Sequence, residues 1–166
     1  QGAKTGTFDA TEQRMVEGVL DFSEARVGSF MTPRPEIIWL DIDEPAERNR
    51  RKIVEARHSH FPVVKGSLDN VVGVIHVKDI LGRQLQGQPF DLTLSLEQAL
   101  FLPESADASR SVDLFRNSAT HFAFVVDEYG NIQGVVTLTD ILRAIVGDFA
   151  DTMDGKAANL PGTRIL

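Results

Sequence analysis

The chain has 166 residues, 24 acidic against 17 basic side chains, a formal net charge of −7 and no cysteine. This length suits one domain or two very small ones with a packed core; the lack of cysteine excludes disulfides and thiolate sites. The acidic surplus argues against a general nucleic-acid-binding protein, and the apolar runs are shorter than the roughly 20 residues of a membrane span.

The hydrophobic pattern predicts two similar groups of strands and helices. The first group has a strand at 37–40, a helix at 45–57, strands at 61–64 and 71–76, and a helix from 78 to about 82. The second group has a strand at 99–102, a helix at 106–117, hairpin strands at 122–126 and 132–137, and a helix at 139–146. The basic run at 48–57 is interpreted as a solvated helix face, with an anion or partner site as the alternative.

Three segments lie outside these two groups. Residues 9–30 are expected to form two helical pieces, the second capped by Ser23. Residues 83–98 connect the groups, with a helical turn begun by Asp91. The tail from residue 151 lacks periodicity, and we expect it to be flexible or to lead into a further domain.

The two groups repeat one another at a constant offset of 61 residues. Nine of the 22 residues at 60–81 are identical to those at 121–142 without a gap, including Gly73 with Gly134 and Asp79 with Asp140. One copy alone is too small to bury both faces of a three-stranded sheet. The duplication therefore predicts one pseudo-symmetric α/β unit, with two β-α-β-β-α repeats packed sheet to sheet and helices outside.

An acidic residue follows a strand in each copy, Asp140 after GVVTLT and Asp79 after GVIHVK. The amides and partial positive charge of a helix N-terminus suit phosphate, while a carboxylate there can accept hydrogen bonds from both hydroxyls of a ribose. Thr137 and Thr139 add hydroxyls for sugar or phosphate. The pattern favours a nucleoside site between aliphatic strands. The alternative is that Asp79 and Asp140 only cap their helices.

Four segments resemble a tandem pair of CBS domains, the Bateman module. They are MTPRPEII at 31–38, HSHFPVV at 58–64, VVGVIHVKDIL at 71–81 and FVVDEYGNIQGVVTLTDIL at 124–142. More narrowly, EGVLDFSEARVGSFMTPR at 17–34 and DEYGNIQGVVTLTDILRAIVGD at 127–148 resemble the CorC/HlyC family of magnesium and cobalt efflux proteins and hemolysin-like membrane proteins. The resemblance covers residues 11–149.

This resemblance implies that AMP, ADP or ATP binds in the cleft between the repeats. Whether Mg²⁺ also bridges the phosphates is an open question at this point. Asp140 and Asp79 would accept the ribose hydroxyls, and Thr137 and Thr139 would contact sugar or phosphate. The other implied contacts are the backbone at Ile37 and Ile38 and the side chains of Phe61, Pro62 and Val135 around the base, with Arg34 or Lys78 at the phosphates. His76 replaces Thr137 in the first copy, so the clefts are expected to be unequal, and the cleft holding Asp140 is favoured.

The resemblance also implies how the chain is organised. Residues 1–26 would link to a preceding membrane domain, 27–88 and 89–149 would be the two CBS repeats, and 150–166 would lead toward a further domain. The expected assembly is a homodimer at the cytoplasmic face of the bacterial inner membrane. Bound ligand would favour one orientation of the two modules and pass it to the membrane domain through residues 9–30.

Other constellations are less specific. His58 and His60 lie two residues apart on a strand edge and could hold a metal, but the sequence offers no third ligand at a defined spacing. The preferred interpretation is that His60 and His121 are equivalent structural residues, each at the start of the repeated strand. Asp127 and Glu128 are interpreted as loop residues. No nucleophile, base and orienting group can be assembled, so we expect no enzymatic activity. The alternative function is a dimerisation scaffold without a functional ligand site.

Overall fold

The structure, a computed structural model, describes residues 10–14 and 24–144. Its strands and helices in chain order are β1 (Thr32–Pro33), β2 (Leu40–Asp41), α1 (Ala46–Ala56), β3 (His60–Lys65), β4 (Ser67–His76), α2 (Val77–Leu85), β5 (Leu100–Pro103), α3 (Ala108–Arg116), β6 (Phe122–Val126), β7 (Ile132–Thr137) and α4, described over 138–144. Three 3-10 helices accompany them, at Val27–Ser29, Arg34–Glu36 and Leu92–Ser95. Among the described residues no helix combines the length and hydropathy needed to cross a bilayer.

Most elements lie where the sequence predicts them. The connector carries the expected turn, because the Asp91 carboxylate accepts a hydrogen bond from the Thr93 amide at the start of Leu92–Ser95. Of the two helical pieces predicted between 9 and 30, residues 10–14 are helical. The predicted cap Ser23 and the tail from residue 151 lie outside the described residues.

Three predicted boundaries are wrong, and in the first of them β4 begins at Ser67 rather than at residue 71. The strand expected at 37–40 is reduced to Leu40–Asp41, because Pro33 and Pro35 fix φ and lack amide donors, and the Ile37 amide donates to the Arg34 carbonyl instead of a ladder. Helix α2 continues past Gly82 to Leu85. The chain turns only at Gly87, whose φ of +78° is readily adopted by glycine.

The strands form two sheets, and each repeat contributes a segment to the other repeat's sheet. One sheet has the order β1-β7-β6-β5 and the other β2-β3-β4. Strand β1 of the first repeat pairs with β7 of the second, with Thr32 opposite Val135, and Glu97 of the second repeat bridges to Val74 in β4. The two repeats are therefore joined by exchanged backbone as well as by a shared core.

The repeated glycines lie where these exchanged segments cross. A Cβ on Gly73 would stand 2.7 Å from the Glu97 carbonyl oxygen, and one on Gly134 would overlap the Thr32 carbonyl oxygen and the Met31 side chain. A side chain at either position would push the crossing strand away. The duplication therefore preserves glycine because both crossings need close backbone approach.

The core has three layers of apolar contacts, which confirms the predicted sheet-to-sheet packing with helices outside. The central cluster joins both sheets and contains Ile37, Val64, Leu68, Val74, Phe122, Phe124, Ile132 and Val135. The other two clusters lie between a sheet and its helices. The first-repeat cluster contains Leu40, Phe61, Val63, Ile75, Ile80 and Leu92, and the second-repeat cluster contains Val27, Leu102, Phe115, Ala123, Val125, Val136 and Ile141.

The two hairpins are not in the same register, although the sequences align without a gap. Phe122 pairs with Thr137 in the second hairpin, whereas the residue paired with His76 in the first hairpin is His60 and not Phe61. Strand β3 is thus displaced by one residue relative to β6. Since side chains alternate along a strand, one residue of displacement reverses the faces. Phe61 packs against helices, while Phe122 packs between the sheets.

This displacement corrects the predicted equivalence of His60 and His121. The His121 carbonyl accepts a hydrogen bond from the Leu138 amide at 3.0 Å, and in the first repeat the matching acceptor of the Val77 amide is the Ser59 carbonyl, at 2.9 Å. His121 therefore corresponds to Ser59 and precedes its strand, while His60 lies within β3. The two histidines enter the space between the repeats from different positions.

Candidate functional site

A cavity of about 480 Å³ lies between the two repeats, at the junction of β7 and α4. Its volume is within the range of small-molecule sites. Seven of the twelve residues predicted to contact a nucleotide line it: Ile37, Ile38, Pro62, Val135, Thr137, Thr139 and Asp140. We call this cavity the Asp140 cleft.

Asp140 is held in place by a reciprocal pair of hydrogen bonds with Thr137. The Thr137 amide donates to Asp140 Oδ2 at 3.1 Å, and the Asp140 amide donates to Thr137 Oγ1 at 3.0 Å. This arrangement is a capping box, so Asp140 does cap its helix. The Oδ1 atom accepts no hydrogen bond from the residues that the structure describes, and Asp140 lines the cavity. The carboxylate is therefore oriented by the cap and keeps one oxygen for a ligand.

The apolar part of the cleft comes from both repeats. Ile37 and Val135 are nearly buried, whereas Ile38 is 38% exposed and lies at the cavity wall. Pro62 lines the cleft because it alternates along β3 with Phe61 and Val63, which face the helices. These aliphatic surfaces can hold a flat ring between them.

Two arginines line the cleft, and the sequence had not assigned either to the site. Arg57 ends α1 with φ of +56°, the left-handed region that non-glycine residues rarely adopt. Arg143 lies on α4, one turn after Asp140. The corresponding positions in the other repeat hold uncharged residues, namely Ser118 or Ala119 for Arg57 and Gly82 for Arg143. The two arginines of this cleft are thus specific to one side of the pseudo-symmetric unit.

Histidines form a second group in the cleft that the sequence did not assign to it. His58, His60 and His121 line the cavity. The ring of His60 lies 4.3 Å from that of His76, measured between centroids, and 5.9 Å from that of Phe122. Burial, followed by the neighbouring His76 and His121, lowers the pKa of His60 from 6.5 to about 4. His60 is therefore neutral near pH 7.

Five of the predicted contact residues do not line the cleft. Phe61 is fully buried among helix-facing residues, so it cannot frame a base there. The Arg34 guanidinium donates to the Ile132 carbonyl at 3.0 Å and to Asp69 at 3.2 Å, which joins the repeats rather than serving a phosphate. His76, Lys78 and Asp79 lie at the N-terminus of α2, in the pseudo-symmetric position.

The α2 terminus is capped differently from the α4 terminus. His76 Nδ1 accepts a hydrogen bond from the Lys78 amide at 3.1 Å, and the Asp79 carboxylate accepts none from the described residues. The His76-for-Thr137 replacement thus replaces the capping box by a single histidine cap. This difference agrees with the expectation that the two clefts are unequal.

Several lining residues were not assigned to the cleft from the sequence: Thr32, Glu36, Arg57, His58, Ser59, His60, His121, Phe122 and Arg143. Arg57 belonged to a run that had an anion site as its alternative interpretation. The histidine spacing was noticed, but only as a weak metal signal. Within the described ranges, no group of three or more His, Asp or Glu side chains is arranged to hold a metal ion.

Comparison with known proteins agrees with this geometry. The CBS domain family profile matches residues 27–85 and 94–147. The chain is 43% identical over 147 residues to the UPF0053 protein sll0260 of Synechocystis, covering 89% of this chain and 33% of that protein. It is 38% identical over 148 residues to the magnesium and cobalt efflux protein CorC of Pasteurella multocida, covering 89% and 49%. The chain spans a third to a half of the length of these relatives.

Solved structures give the same result at the level of the fold. The CBS domain of a bacterial CNNM/CorC family Mg²⁺ transporter in complex with ATP matches with 34% identity and a TM-score of 0.71, over 82% of this chain and 97% of that one. A CBS-domain pair with bound AMP from Klebsiella pneumoniae matches with 29% identity and a TM-score of 0.67, over 74% and 99%. The chain therefore belongs to the CBS domain family, as a tandem CBS pair of the CNNM/CorC type.

Proposed function

We propose that the chain is a regulatory module that binds an adenine nucleotide in the Asp140 cleft. In the full-length protein it would control an ion-transporting membrane domain of CorC type from the cytoplasmic face. The observation that carries the proposal is the cleft itself, where an oriented carboxylate, two aliphatic walls and two arginines surround one cavity. The ATP-bound and AMP-bound relatives support it.

Each part of a nucleotide has a chemical counterpart in the cleft. The Oδ1 atom of Asp140 can accept hydrogen bonds from ribose hydroxyls, because the other oxygen is engaged by the Thr137 amide. Ile37, Ile38 and Val135 offer the apolar surface for the base. The hydroxyl of Thr139, with that of Thr137 when it turns from its cap, can donate to sugar or phosphate.

Arginine placement favours more than one phosphate. Arg57 follows α1 and Arg143 lies on α4, so two separate guanidinium groups are available in the cleft to contact different phosphates of one chain. Polyphosphate would also supply the oxygen ligands that Mg²⁺ prefers. We therefore expect ATP or ADP to bind more tightly than AMP, with Mg²⁺ joining through the phosphates. The pseudo-symmetric position with Asp79 lacks both arginines, so we expect weaker binding there.

Calorimetric titration of ATP, ADP and AMP, with and without Mg²⁺, tests this proposal. Replacing Arg57 or Arg143 by glutamine should weaken ATP binding about 10- to 100-fold, the loss expected for a charged hydrogen bond. The loss for AMP should be smaller. Arg116→Gln is the matched control, because Arg116 is an exposed arginine of α3 outside the cleft. Absence of both heat and a thermal shift with every nucleotide would refute the proposal.

The second candidate function is a dimerisation scaffold, and exposed leucines favour it. Leu81 on α2 and Leu142 on α4 occupy equivalent positions, and they are 56% and 45% exposed. Each of these two helices thus exposes a leucine, and we expect a second copy to dock against these helices as a homodimer. Sedimentation would detect this dimer. A dimer that binds no nucleotide would favour the scaffold over the sensor.

Regulation without catalysis is part of the same proposal. We expect ATP to be recovered unchanged after prolonged incubation with the protein and Mg²⁺, as judged by chromatography. Formation of ADP or AMP above the rate in buffer alone would contradict it. We also expect no binding of nucleic acid, because the net charge is −7.

A further inference from the structure

All four histidines of the chain gather at the Asp140 cleft. His58, His60 and His121 line the cavity, and His76 contacts His60 from the neighbouring strand β4. They arrive from the end of α1, from β3, from the start of β6 and from β4, so neither sequence spacing nor the duplication requires their meeting. We call these four residues the histidine cluster.

His60 is at the centre of the cluster. It is paired with His76 across the β3-β4 ladder and stacks on Phe122, which belongs to the other repeat. Both His76 and His121 lower its pKa by charge, in addition to the effect of burial. An added proton on His60 is therefore opposed by its neighbours while the cleft holds no anion.

The charged groups around the cluster are evenly divided between basic and acidic side chains. On the cavity wall, Arg57 and Arg143 are the cations, and Glu36 and Asp140 are the acids. Beside His76, the start of α2 carries Lys78 and Asp79. The acidic and basic groups are thus balanced before any histidine is charged, so each protonated imidazole makes the cleft more positive.

We propose that binding of a nucleotide polyphosphate in the Asp140 cleft is coupled to proton uptake by the histidine cluster, so that affinity increases as the pH falls. This inference rests on the proposed function, because it assigns a regulation to the same cleft. The physical reason is that several negative charges from one ligand offset the repulsion among His60, His76 and His121. The empty cleft then favours the neutral imidazole of His60, and the filled cleft favours its charged form.

The direction follows from linkage. In the empty cleft His60 has a pKa of about 4, and an anion nearby raises it. At a pH between the pKa of His60 in the empty cleft and its higher pKa in the complex, the complex holds more protons than the free protein. Affinity for the nucleotide therefore rises as the pH falls through this interval. One proton taken up completely corresponds to at most about tenfold in affinity per pH unit.

Histidine NMR signals on the intact chain give a direct test. The Cε1 protons of the four histidines are followed from about pH 8 to about pH 3.5, with and without saturating ATP, because this interval contains both the usual range of histidine titration and the pKa of about 4 that His60 has in the empty cleft. His60→Gln and His121→Gln assign the signals. With ATP, the midpoint of His60 should move upward by about one pH unit or more. Identical titration curves with and without bound ATP would overturn the inference.

Affinity measurements provide the second arm. Calorimetry at the two ends of this pH interval should show a several-fold larger gain for the wild type than for His60→Gln. The terminal phosphate of ATP also titrates near neutral pH, and this contribution is common to both proteins. Arg116→Gln, outside the cleft, should keep the wild-type pH dependence. An equal gain in wild type and His60→Gln would count against proton uptake by the cluster.

The two proposals fail in different ways. If ATP binds at no pH, the proposed function fails and the proton coupling falls with it. If ATP binds with unchanged histidine titration, only the coupling is refuted. Because the NMR arm is read on the wild-type protein, a variant that folds poorly does not decide the outcome.

Discussion

Replacing Asp140 by alanine removes two interactions with different consequences. The first is the capping box, in which Asp140 Oδ2 accepts from the Thr137 amide at 3.1 Å. The second is the proposed hydrogen bonding of Oδ1 to ribose. Folding stability reports the first interaction and nucleotide affinity reports the second, so one variant tests both interpretations of the acid.

The expected magnitudes follow from these contacts. Loss of an N-terminal helix cap costs about 1 kcal/mol of unfolding free energy. Loss of hydrogen bonds from ribose to a charged acceptor costs about 1.5 to 3 kcal/mol of binding free energy. The dissociation constant should therefore be about 10- to 150-fold larger. Asp140→Asn should retain most of the cap, because asparagine is also a good capping residue, and should still lose nucleotide affinity.

Asp79→Ala is the matched control, since Asp79 holds the same motif position in the first repeat. Its carboxylate accepts no hydrogen bond from the described residues, and α2 is capped by His76 instead. We expect small changes in both stability and affinity. Urea denaturation without nucleotide measures stability, because a ligand would add its own stabilisation, and calorimetry measures affinity. An Asp140→Ala protein that loses stability but binds ATP normally would show that the acid is only a cap.

Two further predictions concern the fold. Gly134→Ala should lower the unfolding free energy by about 1 to 3 kcal/mol, because the new methyl group meets the Thr32 backbone. Its control, Gly82→Ala, has no neighbouring atom within 4 Å and should gain about 0.5 to 1 kcal/mol; equal effects in urea titrations would contradict the close crossing. His60 has a pKa of about 4 when folded and 6.5 when unfolded, so the unfolded chain binds more protons between these values. Stability should therefore fall as the pH decreases from 6.5 toward 4, and His60→Gln should show a shallower decrease; an unchanged slope would argue that His60 is not held neutral.

Local sequence features determined much of this protein. Alternating apolar residues indicated the hairpin strands, and the 61-residue duplication indicated a pseudo-symmetric pair with helices outside. The glycine and acid repeated before each second helix located the strand-to-helix junction, and Asp140, Thr137 and Thr139 all line the cavity. These features depend on residues that are close together in the sequence, so they can be recognised without knowledge of the fold.

Tertiary structure alone decided which side chains meet. The one-residue displacement of β3 relative to β6 turned Phe61 toward the helices, and the gap-free alignment gave no sign of it. Strand exchange between the repeats engaged Arg34 with Ile132 and Asp69, away from the cleft. The same long-range packing brought Arg57, Arg143 and the histidine cluster to the cavity. Pairing between distant strands depends on which face is buried against which partner, and local periodicity does not specify the partner.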